Sequence, residues 1–290
     1  MSNPISSIAR LRSVSISKPV HAFLQVPRAG TVLSTFTRSC YLDFEGRIVA
    51  VVLPDLLNGP LNLVVAAHVG FAFDELPQGA SVWSSPGTVH IGGVAEIAIH
   101  DTPTWNPELT RWDRPAFSRI RANLRIVGSV LRAEAPEGSF AVYLNDPTAL
   151  AARPARGMKL LKEGLEGPSA DRVAAAAQQL AGLGAGLTPS GDDVLVGTLI
   201  SLSVLPDDGQ HEIRDAIVSA ASGRTTRISE AYLAAASRGE AGEAWHTLLH
   251  SLKESNDAEI QSATRRVMAF GETSGADMLT GFVLTARALF

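Results

Sequence analysis

Apolar and polar positions change rhythm near the middle of the chain. Ser13 to Ser17 alternate, and His21 to Val26, Thr31 to Phe36 and Cys40 to Phe44 form short apolar or β-branched runs. Pro27-Arg28-Ala29-Gly30 and Glu45-Gly46-Arg47 break them. Ile48 to Leu53 is a continuous β-branched run ended by Pro54-Asp55. Leu61 to Ala67, Ser81 to Trp83, Val89 to Ile91 and Ala95 to His100 continue the pattern. Many short strands with turn signals between them predict an antiparallel barrel or sandwich.

One helix is expected inside this half. Phe117, Ile120, Leu124, Val127 and Leu131 recur at helical spacing behind Pro115, a proline tolerated in a first turn. Phe140 to Leu144 reads as a last strand before Asn145-Asp146-Pro147. Beyond it alanine becomes dense and β-branched runs become rare. Ser169 is placed to cap a helix over Ala170 to Leu183, and Ser190 to cap one over Asp192 to Leu205. Asp207-Asp208-Gly209 is a turn. His211 to Ser222, Ile228 to Ser237, Gly242 to Glu254, Asp257 to Phe270 and Gly275 onward keep helical spacing. The expected fold class is α+β: a β-rich domain over 1–147, then an α-helical bundle over 148–290.

Composition narrows the function classes. At 290 residues, 46% hydrophobic and 19% charged, the chain can bury a sizeable core. A net charge of -4 argues against nucleic acid as the main partner. The N-terminus lacks a signal-peptide run and no long uninterrupted apolar stretch occurs, so a cytoplasmic protein without a membrane partner is expected. Cys40 stands alone, which rules out an internal disulfide or a multi-thiolate zinc cluster. Its apolar neighbours mark it as a buried structural thiol.

The candidate chemistry sits in G-L-G-A-G-L-T-P-S-G-D-D-V-L-V-G, residues 182–197. Glycines this dense do not suit a helix, so Gly182 to Gly191 must be a loop entering one. Gly184, Gly186, Thr188, Ser190 and Gly191 would offer backbone N–H groups and hydroxyls beside a helix N-terminus, which favours an anion. Gly186 to Gly191 has P-loop spacing, but Asp192 and Asp193 stand where Lys and Ser/Thr belong, so a nucleotide-dependent kinase reading is weakened. The dinucleotide pattern fails as well, with Leu187 at its third glycine. Bare carboxylates repel a phosphate unless Mg²⁺ intervenes or they meet amide or hydroxyl donors. The bland alternative is that both aspartates only complement the helix dipole.

A second copy, G-E-T-S-G-A-D-M-L-T-G, occupies 271–281. Ser190, Gly191, Asp193, Leu195 and Gly197 correspond to Ser274, Gly275, Asp277, Leu279 and Gly281, with Pro189 as the only offset. If the loops face one another, Asp193 and Asp277 converge, as catalytic groups or as ligands of Mg²⁺. If they do not, both are N-cap motifs whose closing glycines allow close helix crossing. Between them, Arg224-Thr225-Thr226-Arg227-Ile228-Ser229 offers a cap (Thr225 or Thr226), or in Arg224 and Arg227 partners for a bound anion or for the aspartates. His246 and His250 share a helix face without a third ligand. His68 and His90 precede glycines and read as structural.

The run G-x-G-x-G-L-T-P-S-G-D-D-x-L-x-G, the T-T-x-I-S cluster and G-x-T-S-G-x-D-x-L-x-G together resemble a bacterial family that includes the AllH-type subunit of oxamate carbamoyltransferase. The resemblance spans Gly182 to Gly281 and is loose over the β-rich half. It implies a place in the late, anaerobic part of allantoin breakdown, with two other subunits as partners and a carbamoyl group moving between oxamate and phosphate. A small anionic substrate at the loops would follow. It assigns no catalytic residue. The alternative is a non-catalytic ligand-binding or assembly subunit, with the chemistry on a partner chain.

Overall fold

The computed structural model describes residues 8–66, 71–206 and 209–290. His68 with Val69-Gly70, and Asp207-Asp208 of the expected turn, lie outside them. The chain divides into two compact units, residues 1–107 and 108–290. Residues 108–147, which sequence rhythm groups with the β-rich half, belong to the second.

The first unit is a closed barrel. Its strands are β1 (Ala9–Ser17), β2 (Arg28–Phe36), β3 (Ser39–Phe44), β4 (Arg47–Val52), β5 (Asn62–Ala66), β6 (Ser81–Ser85), β7 (Thr88–Ile91) and β8 (Ala95–Ala98), with a short β9 (Thr104–Trp105) added beside β1. β5 to β4, β3, β2, β6, β7, β8 and β1 are neighbours in turn, and β1 pairs back onto β5, which leaves those eight strands without a free edge. The barrel is mixed, not antiparallel throughout: β4 runs parallel to β5, and β1 parallel to β8. Register slips between Ser13 and Ser15 and between Val32 and Ser34 mark bulges, the usual device for bending a strand around a barrel. Val14, inside the first slip, is left exposed.

Inward side chains of alternate residues fill this unit: Leu11, Leu42, Val49, Val51, Leu63, Val89, Ile91 and Ile97 are buried in one cluster. Cys40 is fully buried among them, and burial pushes its thiol far above the ordinary range, so it is inert packing. His21 to Val26 is not a strand. Lys18–Phe23 forms helix α1, started by Pro19 in its first turn, and it delivers Val20 and, just beyond, Leu24 to the same cluster.

The second unit is helical: α2 (Phe117–Glu134), α3 (Ala152–Glu166), α4 (Ala170–Leu180), α5 (Ser190–Val204), α6 (Gln210–Ala221), α7 (Arg227–Ser237), α8 (Glu243–Glu254), α9 (Asp257–Met268) and α10 (Ser274–Leu289). Phe140–Leu144 is a 3-10 turn and not the expected strand; Phe140, Ala141 and Tyr143 still bury into the helical core. Its five apolar residues carry no period that separates strand from helical turn.

Two helices organise the unit. In α5 every residue from Gly191 to Val204 is buried, and in α10 every residue from Ser274 to Ala286. A helix apolar on all sides belongs in the middle of a bundle. The two pack on each other at Gly197 and Gly281. A Cβ on Gly197 would lie 1.7 Å from the Met278 carbonyl oxygen, and one on Gly281 would lie 2.0 Å from that of Val194. Only residues without a side chain allow backbones this near. Among the described residues no helix is long and apolar enough to cross a membrane.

Candidate functional site

The segments α4–loop–α5 and α9–loop–α10 are built alike. Gly191 N–H donates to Leu183 O at 2.8 Å, and Gly275 N–H to Phe270 O at 2.9 Å. A Cβ at Gly191 would meet Leu180 O at 2.1 Å, and one at Gly275 would meet Val267 O at 2.2 Å. The sequence repeat is therefore a repeat of structure, pivoting on the Gly197–Gly281 crossing.

The two loops meet. Thr188 Oγ1 is 3.1 Å from Ser274 Oγ, and Ser190 Oγ is 3.3 Å from Thr273 Oγ1. Each loop contributes one threonine and one serine, so the two bonds are equivalents across the pseudo-symmetric pair. Ser190 and Ser274 were expected to cap their helices. Neither does: both stand inside the first turn, behind Pro189 and Thr273, and their hydroxyls are committed across the pair.

Asp192 and Asp193 are adjacent but face different tasks. Asp192 turns back on its own loop. Its Oδ1 accepts from Gly182 N–H at 3.0 Å, and its Oδ2 accepts from Thr225 Oγ1. Burial raises its pKa, and those donors, with Ser229, hold part of the rise back. Both oxygens are in use, which makes Asp192 a tie between two loops. Gly182 has φ +69°, and a Cβ there would stand 2.3 Å from Arg224 O, so the tie depends on a glycine. Thr226 completes the junction. Its Oγ1 accepts from Ser229 N–H at 3.1 Å, capping α7, and donates to Leu187 O at 2.5 Å. Arg224 and Arg227 are exposed beside it.

Asp193 and Asp277 point into the join. Asp193 is 4% exposed and Asp277 0%. Asp277 Oδ1 accepts from the backbone N–H of Phe140 at 2.6 Å. No hydrogen bond of ordinary geometry reaches Oδ2 of either residue. Burial pushes Asp193 well above the usual carboxylate range; Ser274 offsets part of this, the charges of Asp277 and Asp192 add to it, and Thr188 offsets a little more. Burial likewise raises Asp277 to about 6, against the opposing effect of Phe140 N–H and the nearby Ser190 and Thr273 hydroxyls. The two groups share one electrostatic environment at the positive ends of α5 and α10.

For Mg²⁺ the set supplies two carboxylates, as many as such a site usually takes from protein, but at two helix N-termini, whose dipoles disfavour a cation. An un-ionised carboxyl with a free oxygen instead offers one donor and one acceptor, a match for an amide or a carboxylate edge.

The Phe140 N–H was not legible in the sequence, because its segment read as a strand. His246 and His250 lie on α8. His90 stacks on Trp83 and faces Glu96 at 3.4 Å in the barrel, a structural role. Two clefts, of about 220 and 320 Å³, are lined by residues of α2, α3, α10 and the 140–147 segment, and neither includes a loop residue.

No solved structure matches the chain. Residues 180–286, which run from the end of α4 through both loops and most of α10, match the model of the family described as oxamate carbamoyltransferase subunit AllH, the family that the sequence motifs resemble.

Proposed function

We propose that the chain is a subunit of an enzyme that moves a carbamoyl group between oxamate and phosphate, and that it binds a small anionic ligand where the two loops join. The observation that carries this reading is the pair of buried Oδ2 atoms of Asp193 and Asp277, unpartnered at two helix N-termini held together by hydroxyl pairs. A buried polar atom without a partner is costly, and it is retained where a ligand supplies the partner.

The chemistry suits the residues. The positive ends of the α5 and α10 dipoles would attract an oxyanion of phosphate or of the oxamate carboxylate. Asp193 and Asp277, whose protonated forms burial favours, would in that form donate to the oxyanion and accept from an amide N–H. Breaking the bond between the carbamoyl carbon and the oxamate nitrogen requires a proton on that nitrogen. A carboxyl titrating near 6 is matched to that transfer. Asp192, Thr225, Thr226 and the loop glycines would position the site, with Arg227 at its rim.

The test is the melting temperature of the purified chain with carbamoyl phosphate, phosphate, oxamate or ATP, each with and without Mg²⁺, repeated on Asp193→Asn. A ligand that binds only the folded state raises it. A rise with carbamoyl phosphate, phosphate or oxamate, lost in the variant, supports the site. A rise with ATP alone, or one that persists in the variant, rejects it. A second reading, a ligand-binding or assembly subunit with the chemistry elsewhere, is favoured by the family's description as a subunit. Turnover by the chain alone would exclude it.

A further inference from the structure

We propose that the cleft between α2 and α10 is a binding site for a phosphate-class oxyanion, separate from the paired loops. The cleft measures about 220 Å³, and every charged side chain that lines it is an arginine: Arg121 and Arg125 from α2 and Arg287 from α10. Leu124 and Phe290 form its apolar wall. Arg132 stands close enough to Arg287 that its charge, together with burial, disfavours the protonated form of Arg287.

At the end of the same α2, Arg265 finds Glu134 at 2.7 Å. In the cleft, Arg121 donates to a main-chain oxygen of the last residue, Phe290, at 3.0 Å, and Arg125, Arg132 and Arg287 form no ion pair among the described residues. Guanidinium groups stay charged at any ordinary pH, so their repulsion persists unless an anion lies between them.

Gly128 of α2 leaves space for the tip of Arg287: a Cβ there would lie 2.4 Å from Arg287 Nη2. Three guanidiniums exceed what one carboxylate balances. A phosphate, with about two charges and three acceptor oxygens, matches the count and the forked geometry. Asp277 and Arg287 stand ten positions apart on α10, about 15 Å along the axis, so one ligand of phosphate size cannot span both places.

The test is calorimetric titration of the full chain with inorganic phosphate and with pyrophosphate, ionic strength held constant with sodium chloride. The expected result is binding that weakens by about tenfold or more in both Arg287→Gln and Arg125→Gln and persists in Asp193→Asn. Binding unchanged in both arginine variants, binding lost only in Asp193→Asn, or no binding at all would overturn the proposal. Arg125 is exposed, so its variant decides the outcome if Arg287→Gln does not fold. Because the loop aspartate is varied separately, failure here and failure of the loop site give different patterns.

Discussion

Gly197 and Met278 touch backbone to backbone, with no room for a Cβ between α5 and α10. Gly197→Ala should therefore destabilise by roughly 3 kcal/mol, the upper end of overpacking costs, because no side-chain rotation relieves a clash with a carbonyl. Gly186→Ala is the control. Gly186 has φ +90° but open space around its missing Cβ, so only backbone strain of about 1–2 kcal/mol is expected. Urea unfolding of both variants would compare them, and equal losses would contradict the close crossing.

The fold should lose stability as pH rises from 4 toward 7. Asp277 titrates near 6 in the folded chain against 3.8 for the free group. Between those values the folded state binds the extra proton, so its contribution is full below about pH 4 and lost as pH rises through 6. The span corresponds to about 3 kcal/mol, and Asp193 acts in the same direction. Asp277→Asn should flatten that part of the stability–pH curve; an unchanged slope would assign it elsewhere.

Asp193→Asn should stabilise the protein at pH 7, by about 1–2 kcal/mol, while abolishing the ligand-induced rise in melting temperature. Replacing a buried acid with a neutral isostere removes the penalty that pushes its pKa upward. A residue kept only for packing or capping would give the opposite sign, a loss of stability on substitution.

Asp192 and Thr225 should couple strongly. The carboxylate holds both Thr225 Oγ1 and Gly182 N–H in a part-buried setting. A double-mutant cycle of Asp192→Ala and Thr225→Val should return about 1–2 kcal/mol of coupling. Additive losses would mean that the two loops are held together by something else.

Much of this was legible before the structure. The barrel strands announced themselves through β-branched runs and turn residues, and the spacing behind Ser190 marked the helix that became α5. The repeated Gly-x-Thr and Ser-Gly-x-Asp spacing indicated two equivalent loops. What escaped was short or distant. Lys18–Phe23 and Phe140–Leu144 are too brief to show a period, although Pro19 was a helix-start signal. Ser190 had a capping residue's identity, but Pro189 takes the boundary and Thr273, 83 positions away, takes the hydroxyl. No local pattern reveals that Phe140 N–H would hold Asp277 across 137 positions.

The burial of α5 and α10 also shapes how the chain must be made. α5 leaves the ribosome with no polar face to show to water, and α10, one of the elements that cover it, follows far later: Thr188 and its partner Ser274 are 86 positions apart. Through that interval the glycine-lined side that meets α10 waits uncovered. Contacts of such long reach form slowly, and the waiting surface is open to wrong partners. Nascent chains stalled before the final helix should therefore depend on chaperones, and full-length chains should be released from them.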